Sequence, residues 1–245
     1  MNPIQTTLEK MAPNRPQWDD LAPENYVPIQ DRESNYIQAD LEKTTLDQLD
    51  TSHHELVAQA VKVARLWASQ LKEKIPPSLV LISGKPGAGK THIARSIWHS
   101  QTYVQSGLPC NPFFDASQIF FKAYTLINEG EELHGLLPSS STFIIIDDLG
   151  KEIKPQYIGG GDWPSTREDV WFAIINHAYR QHIPLVITSN LTLAPNDKGE
   201  TLPGVIGKYS FSRLLEMAPK IDDKDSYVLD LSPVADYRLK LGGRA

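Results

Sequence analysis

The residues best suited to chemistry lie in one short stretch, Gly84-Lys-Pro-Gly-Ala-Gly-Lys-Thr91. It matches G-x-x-x-x-G-K-[ST], a pattern in which each fixed residue type has a task toward a phosphate chain. Gly84, Gly87 and Gly89 let the backbone turn so that its N–H groups converge on phosphate oxygens, and Lys85, Pro86 and Ala88 complete the loop around them. Lys90 is expected to reach the β- and γ-phosphates, and Thr91 to hold Mg²⁺ through its hydroxyl. A helix beginning near Lys90, with His92 in its first turn, adds unpaired N–H groups and a positive dipole end. The expected cofactors are therefore ATP and Mg²⁺, with residues 84–92 as the nucleotide contacts.

A second constellation is Phe143-Ile-Ile-Ile-Asp-Asp148, an apolar run ending in two acids. Asp147 is expected to serve the metal through its bound water. Asp148 is expected to orient or deprotonate the water that attacks the γ-phosphate. A third is Leu185-Val-Ile-Thr-Ser-Asn190, which puts Thr188, Ser189 and Asn190 at the C-terminal end of an apolar strand. In open α/β sheets that end faces the ligand. Asn190 is read either as a γ-phosphate or water partner, or as a turn residue bonded to its own backbone.

These groups need elements to position them, and the pattern supplies an alternation. Ser52-His-His-Glu55 reads as a capping box, followed by a helix to about Lys74 with Leu56, Ala60, Val63, Trp67 and Leu71 at helical spacing. Pro76 and Pro77 stop it. Leu79–Ile82, Phe143–Ile146, Pro184–Thr188 and Tyr227–Leu231 read as buried strands, with Pro112–Phe114 as a short one. Helices are expected at 91–101, 116–128, 166–181 and 210–217. Strands alternating with helices imply an α/β fold with a parallel central sheet covered on both faces.

Composition bounds the rest. Of 245 residues, 40% are hydrophobic and 22% charged, as in an ordinary globular protein. The run Val170–Ile175 is too short to span a bilayer, and the first residues show no secretory pattern, so a cytoplasmic setting without membrane contact is expected. Cys110 is the only cysteine, which excludes an internal disulfide and a multi-cysteine zinc site. The seven histidines show no metal-ligand grouping. Residues 1–52 hold ten acids and four bases, which accounts for the whole net charge of -6. Five prolines break their first thirty positions, so they are read as an acidic extension that is either a poorly ordered tail or a partner-docking arm. Residues 53–245 form the second, ATP-binding domain. With balanced charge there, any nucleic-acid contact has to be a local patch.

Taken in order, the glycine-rich loop, Ile144-Ile-Ile-Asp-Asp-Leu-Gly150, Ile174-Ile-Asn176 with Tyr179, Pro184–Leu191 and Ser212-Arg-Leu-Leu-Glu216 resemble one family. It is the AAA+ ATPases of the DnaC/IstB group, the replicative-helicase loaders of bacteria and phages and the helper ATPases of some transposons. The resemblance covers about residues 53–240. It implies a three-layer P-loop NTPase fold and slow, oligomer-stimulated ATP hydrolysis. It also implies the loading of a hexameric replicative DNA helicase onto single-stranded DNA. Arg213 matches the arginine finger that reaches a neighbouring subunit's ATP, and Arg238 the C-terminal sensor arginine. Relatives often carry a second basic residue four positions before the finger. Here that position is Tyr209, beside Lys208.

The segment Phe120-Phe-Lys-Ala-Tyr124 matches a region that contacts single-stranded DNA in these relatives, with Lys122 expected to be exposed. The spacing of Phe120 and Tyr124 is equally that of a core face. The acidic extension would be the helicase-docking arm. The loop 149–165 is read as a solvent loop or a contact surface. Two alternatives stand beside the loader: a transposition helper that recruits a transposase, and a nucleotide-gated module that occupies a helicase without hydrolysis.

Overall fold

The structure is a computed structural model. It describes residues 45–71, 77–83, 85–101, 104–105, 108–109, 111–133, 136–137, 141–152, 163–194, 200–223 and 225–236. Gly84, Arg238, nearly all of the acidic extension and most of the 149–165 loop lie outside that set.

Helix α1 (Glu55–Gln70) leads to strand β1 (Leu79–Ile82) and helix α2 (Lys90–Gln101). A two-stranded antiparallel hairpin, β2 (Val104–Gln105) and β3 (Leu108–Pro109), comes next. Then follow β4 (Phe113–Asp115), α3 (Ala116–Glu129), β5 (Ile144–Leu149), α4 (Trp163–Arg180) and β6 (Leu185–Ser189). The order ends with α5 (Leu202–Ile206), α6 (Lys208–Met217) and β7 (Val228–Asp230). Five strands form one sheet in the order β4-β5-β6-β1-β7, and every pairing in it is parallel.

The apolar runs explain this arrangement. Successive side chains of a strand point to opposite faces, so a strand buried at every position needs cover on both. All four residues of β1 are at most 1% exposed, and Ile144, Ile145 and Ile146 of β5 are 0% exposed. The helices supply that cover, which gives the three-layer α/β fold. Parallel pairing also sends every strand's C-terminal end to one edge, where the loops after β1, β5 and β6 meet.

Local chemistry sets the element ends. α3 starts on a capping box of Asp115 and Gln118 and stops at Gly130, whose φ of 72° is left-handed. α1 is capped differently from expectation. Ser52 donates its hydroxyl and its N–H to Asp50 Oδ1, at 2.6 and 2.9 Å, and so is engaged outside the helix. His54 takes the cap instead, its Nδ1 accepting from the Leu56 N–H at 3.1 Å. Leu46, within the stretch read as extension, is 5% exposed and belongs to the core. The two-residue strands of the hairpin β2–β3 and the five-residue helix α5, with Leu202, Val205 and Ile206 buried after the Thr201 cap, were not expected from the sequence.

Trp67 joins α1 to the sheet. Its indole N–H donates to the Pro77 carbonyl, and its ring meets Phe143 edge-on with centroids 5.3 Å apart. The start of β5 is fixed by Asn111, 0% exposed. Its Oδ1 accepts from the Thr142 N–H (3.0 Å), the Thr142 hydroxyl (2.7 Å) and the Phe143 N–H (3.2 Å). Asn111→Ala leaves a buried N–H without its acceptor and should destabilise the protein by about 1–3 kcal/mol. A urea midpoint that falls with an unchanged slope is the expected result, and an unmoved midpoint would contradict it.

Candidate functional site

The sheet order decides which chain ends can meet. β6 lies between β1, which feeds the glycine-rich loop, and β5, which carries the two acids. Residues at the end of β6 are therefore placed between a cation-bearing loop and an acid-bearing strand.

The loop side is built around Lys90, 5% exposed at the first position of α2. Its ammonium donates to Ser83 Oγ at 2.8 Å, to Asn190 Oδ1 at 2.8 Å and to the Lys85 carbonyl at 3.3 Å. The Ser83 hydroxyl donates in turn to the Lys85 carbonyl, tying the loop to the end of β1. Gly87 and Gly89 have φ of 83° and 87°, which L side chains rarely adopt, so glycine is needed at both. A Cβ at Gly87 would also lie 1.9 Å from Asp236 Oδ1, which rests against the loop. Ala88 is buried, whereas Lys85, Pro86 and His92 are exposed at the rim.

The acid side rests on an irregularity that the sequence did not reveal. Asp147 and Asp148 were expected to follow the strand, but they lie within β5, at a bulge. β5 pairs Ile146 with Ile187 and then Leu149 with Ser189, so two residues of β5 stand opposite the single residue Thr188. The Thr188 hydroxyl serves both acids. It donates to Asp147 Oδ1 at 2.5 Å and accepts from the Asp148 N–H at 2.9 Å. Asp148 takes the left-handed φ of 61° that the bulge demands. Its carboxylate pairs with Lys151 Nζ at 2.6 Å and accepts from Asn190 Nδ2 at 3.3 Å. Asn190 thus bridges Lys90 and the second acid.

Asp147 Oδ1 also accepts from the Thr91 hydroxyl at 2.9 Å. Hydroxyl and carboxylate are the hard oxygen donors that Mg²⁺ prefers, so the pair fits that ion. Burial pushes the Asp147 carboxyl above the ordinary range and the Asp148 charge adds to this, against hydrogen bonds from Thr188 and Thr91 and the charge of Arg95. A bound cation would act in the opposite sense.

Arg213 is not part of this cluster. It stands on α6 with its guanidinium 4.7 Å from the centre of the Phe172 ring and 5.8 Å from that of Tyr179, both on α4. Its Nη1 is buried without a hydrogen-bond partner among the described residues. Tyr179 donates to Glu216 at 2.8 Å, and that hydrogen bond, with the charge of the same carboxylate, raises its phenol above the ordinary range. Tyr209, where relatives have a base, is 82% exposed. Phe120 is a core residue, 0% exposed and 6.0 Å from Trp171, so the base-stacking reading fails for it. Lys122 is half-buried, 5.5 Å over the Phe114 ring, and not the exposed cation expected.

Thr188 was expected at the ligand-facing strand end but without a role, and Ser83 and Lys151 were not singled out. Ser83, like Thr188, is a small polar residue ending an apolar strand, and that position was its one available signal. Lys151 lay in the loop after the acids, with none.

No protein-family model matches the sequence, and no curated protein matches it. Solved structures do. The chain is similar to the DnaC helicase loader at 24% identity and a TM-score of 0.53, over 71% of this chain and 92% of that one. It is also similar to DnaI at 14% identity and a TM-score of 0.49, over 78% of this chain and 93% of that one. The first likeness shows the fold, the three-layer α/β arrangement with a parallel central sheet expected from the sequence. Among the described residues no helix is long and apolar enough to cross a membrane.

The raised Asp147 carboxyl has a consequence for stability. Its folded pKa lies above its unfolded one, so it costs nothing below the ordinary carboxylate range. The cost grows as pH climbs from there through the raised value, and above that it is complete. Without nucleotide or Mg²⁺, Asp147→Asn should be more stable than wild type at pH 7, with the difference vanishing in acid. Urea unfolding across pH checks this, and a wild type that is the more stable at pH 7 would refute it.

Proposed function

We propose that the chain is a Mg²⁺-dependent ATPase that loads a hexameric replicative DNA helicase onto single-stranded DNA. The carrying observation is the linkage of Lys90, Asn190 and Asp148 at one sheet edge, with Thr91 and Asp147 hydrogen-bonded beside them. The likeness in fold to the DnaC helicase loader supports the helicase part of the reading.

In this reading the loop 84–91 wraps the triphosphate, with Lys90 on the β- and γ-phosphates. The ammonium already held by Ser83 and Asn190 needs little rearrangement to do so. Thr91 and Asp147 would hold Mg²⁺, which when bound neutralises phosphate charge. Asn190, fixed between Lys90 and Asp148, orients the γ-phosphate or the attacking water. Asp148 accepts a hydrogen bond from that water and draws its proton. Lys151 competes for the same carboxylate, so Asp148 must be released from that pair to act. His92, at the exposed start of α2, and Arg238 flank the nucleotide.

Arg213 belongs to a different face. Its guanidinium lies over the Phe172 and Tyr179 rings, a shelf from which it would turn outward as a finger toward a neighbouring copy's ATP. Hydrolysis is accordingly slow in the monomer and faster in a homo-oligomer. Residues 1–52 act as the helicase-docking arm of a cytoplasmic protein, and residues 53–245 form the ATPase domain.

The Lys151–Asp148 pair also favours a second reading, a nucleotide-gated module that binds a helicase without turnover. Hydrolysis assays separate the two. The wild type should turn over ATP faster with single-stranded DNA and a hexameric helicase, and Asp148→Asn should lose about 10²–10⁴-fold. Arg213→Ala should keep its affinity for ATP while losing the rise of specific activity with protein concentration. Binding without turnover under every condition favours the module. Failure to retain the helicase, with a transposase retained instead, favours the transposition helper.

A further inference from the structure

A buried ion pair grips the chain immediately behind Asp148. The turn at Gly150 has a φ of 104°, and a Cβ there would lie 2.7 Å from Leu191 Cδ1. Both polar backbone groups of Gly150 are taken by one pair of side chains. Its N–H donates to Glu152 Oε1 at 2.9 Å, and its carbonyl accepts from Arg167 Nη2 at 3.1 Å. Arg167 Nε and Nη2 reach Glu152 Oε2 at 3.1 and 2.6 Å, and Nη1 reaches Glu200 Oε2 at 2.9 Å. The Glu152 side chain is 0% exposed and that of Arg167 8%.

A pair so dry is a poor source of stability, because desolvating two charges offsets most of their attraction, and a well-packed apolar pair serves as well or better. Its geometry suits another role. Two residues upstream, Asp148 holds a left-handed φ of 61°, which a residue with a side chain keeps only where its surroundings enforce it. Thr188 enforces it from the β6 side by accepting the Asp148 N–H. Beyond Asp148, the Lys151 N–H donates to the Asp148 carbonyl at 3.2 Å and Ser189 Oγ to the Leu149 carbonyl at 2.6 Å, and Glu152 and Arg167 add the contacts that fix both polar groups of Gly150. Because Nη1 also holds Glu200, next to the Thr201 cap of α5, the clamp joins the acid turn to the segment leading into α6.

We infer that Glu152 and Arg167 are positioning residues for Asp148, holding its carboxylate toward the attacking water without touching substrate. This rests on the reading of Asp148 as the hydrolytic acid. The test is the double variant Glu152→Leu/Arg167→Met, which keeps volume and leaves no buried charge alone, beside Arg167→Lys, which keeps the charge and loses the fork. Full-length proteins are compared by melting temperature, affinity for a non-hydrolysable ATP analogue, and kcat.

Both variants should keep wild-type affinity while kcat falls about tenfold or more, as small misplacements of reacting groups produce. The double variant should also melt at or above the wild-type temperature. Glu200→Gln, whose ion pair is largely exposed on the glutamate side, should stay within about twofold in kcat. The inference is overturned by kcat within about twofold of wild type in either variant, or by a joint fall of melting temperature, affinity and kcat, which marks a merely structural pair. If instead Asp148→Asn hydrolyses as wild type does, or wild type hydrolyses nothing, the reading of Asp148 fails and this inference goes with it.

Discussion

Lys90 carries an ammonium into a place where only 5% of the residue meets solvent, and the surrounding elements serve to hold that charge in position. Burying a charge is expensive unless polar groups surround it. Three oxygen acceptors converge on this one from three chain segments: Ser83 at the end of β1, Lys85 in the loop, and Asn190 after β6. That convergence needs the strand order β5-β6-β1, since any other neighbour beside β1 would put a different loop at Asn190's position. The long apolar strands therefore matter to the site by fixing which ends are adjacent.

The same adjacency governs the acids. A regular β5 would send Asp147 and Asp148 to opposite faces of the sheet. The bulge opposite Thr188 gives both a role at one edge, and one hydroxyl secures both. Burial disfavours the charge of Asp147, whereas Lys90 sits close by through Asn190 and Asp148. A triphosphate with its metal would bring opposite charges to both halves.

The elements that carry this framework were legible because their signals are local. Leu79–Ile82, the isoleucine run at 144–146 and Leu185–Thr188 are continuous apolar stretches, and the loop 84–91 has fixed types at fixed spacing. What escaped depends on partners remote in sequence. Ser52 has the right type for a cap, yet Asp50 captures it and His54 takes over. The bulge is a mismatch between β5 and β6, so neither strand shows it alone. Phe120 fits a stacking surface and a core face equally well by spacing, and only packing against Trp171 decides. Glu152 and Arg167 are fifteen positions apart and bear no periodic mark, and Arg213's shelf needs α4 and α6 side by side.

The central claim is that the loop around Lys90 is a triphosphate site, and titration calorimetry of the full-length protein with a non-hydrolysable ATP analogue and Mg²⁺ tests it most directly. Wild type should bind one equivalent with saturable heat, and a folded Lys90→Ala variant should show none over the same range. Equal affinity in the two proteins, or no binding by wild type, would contradict it.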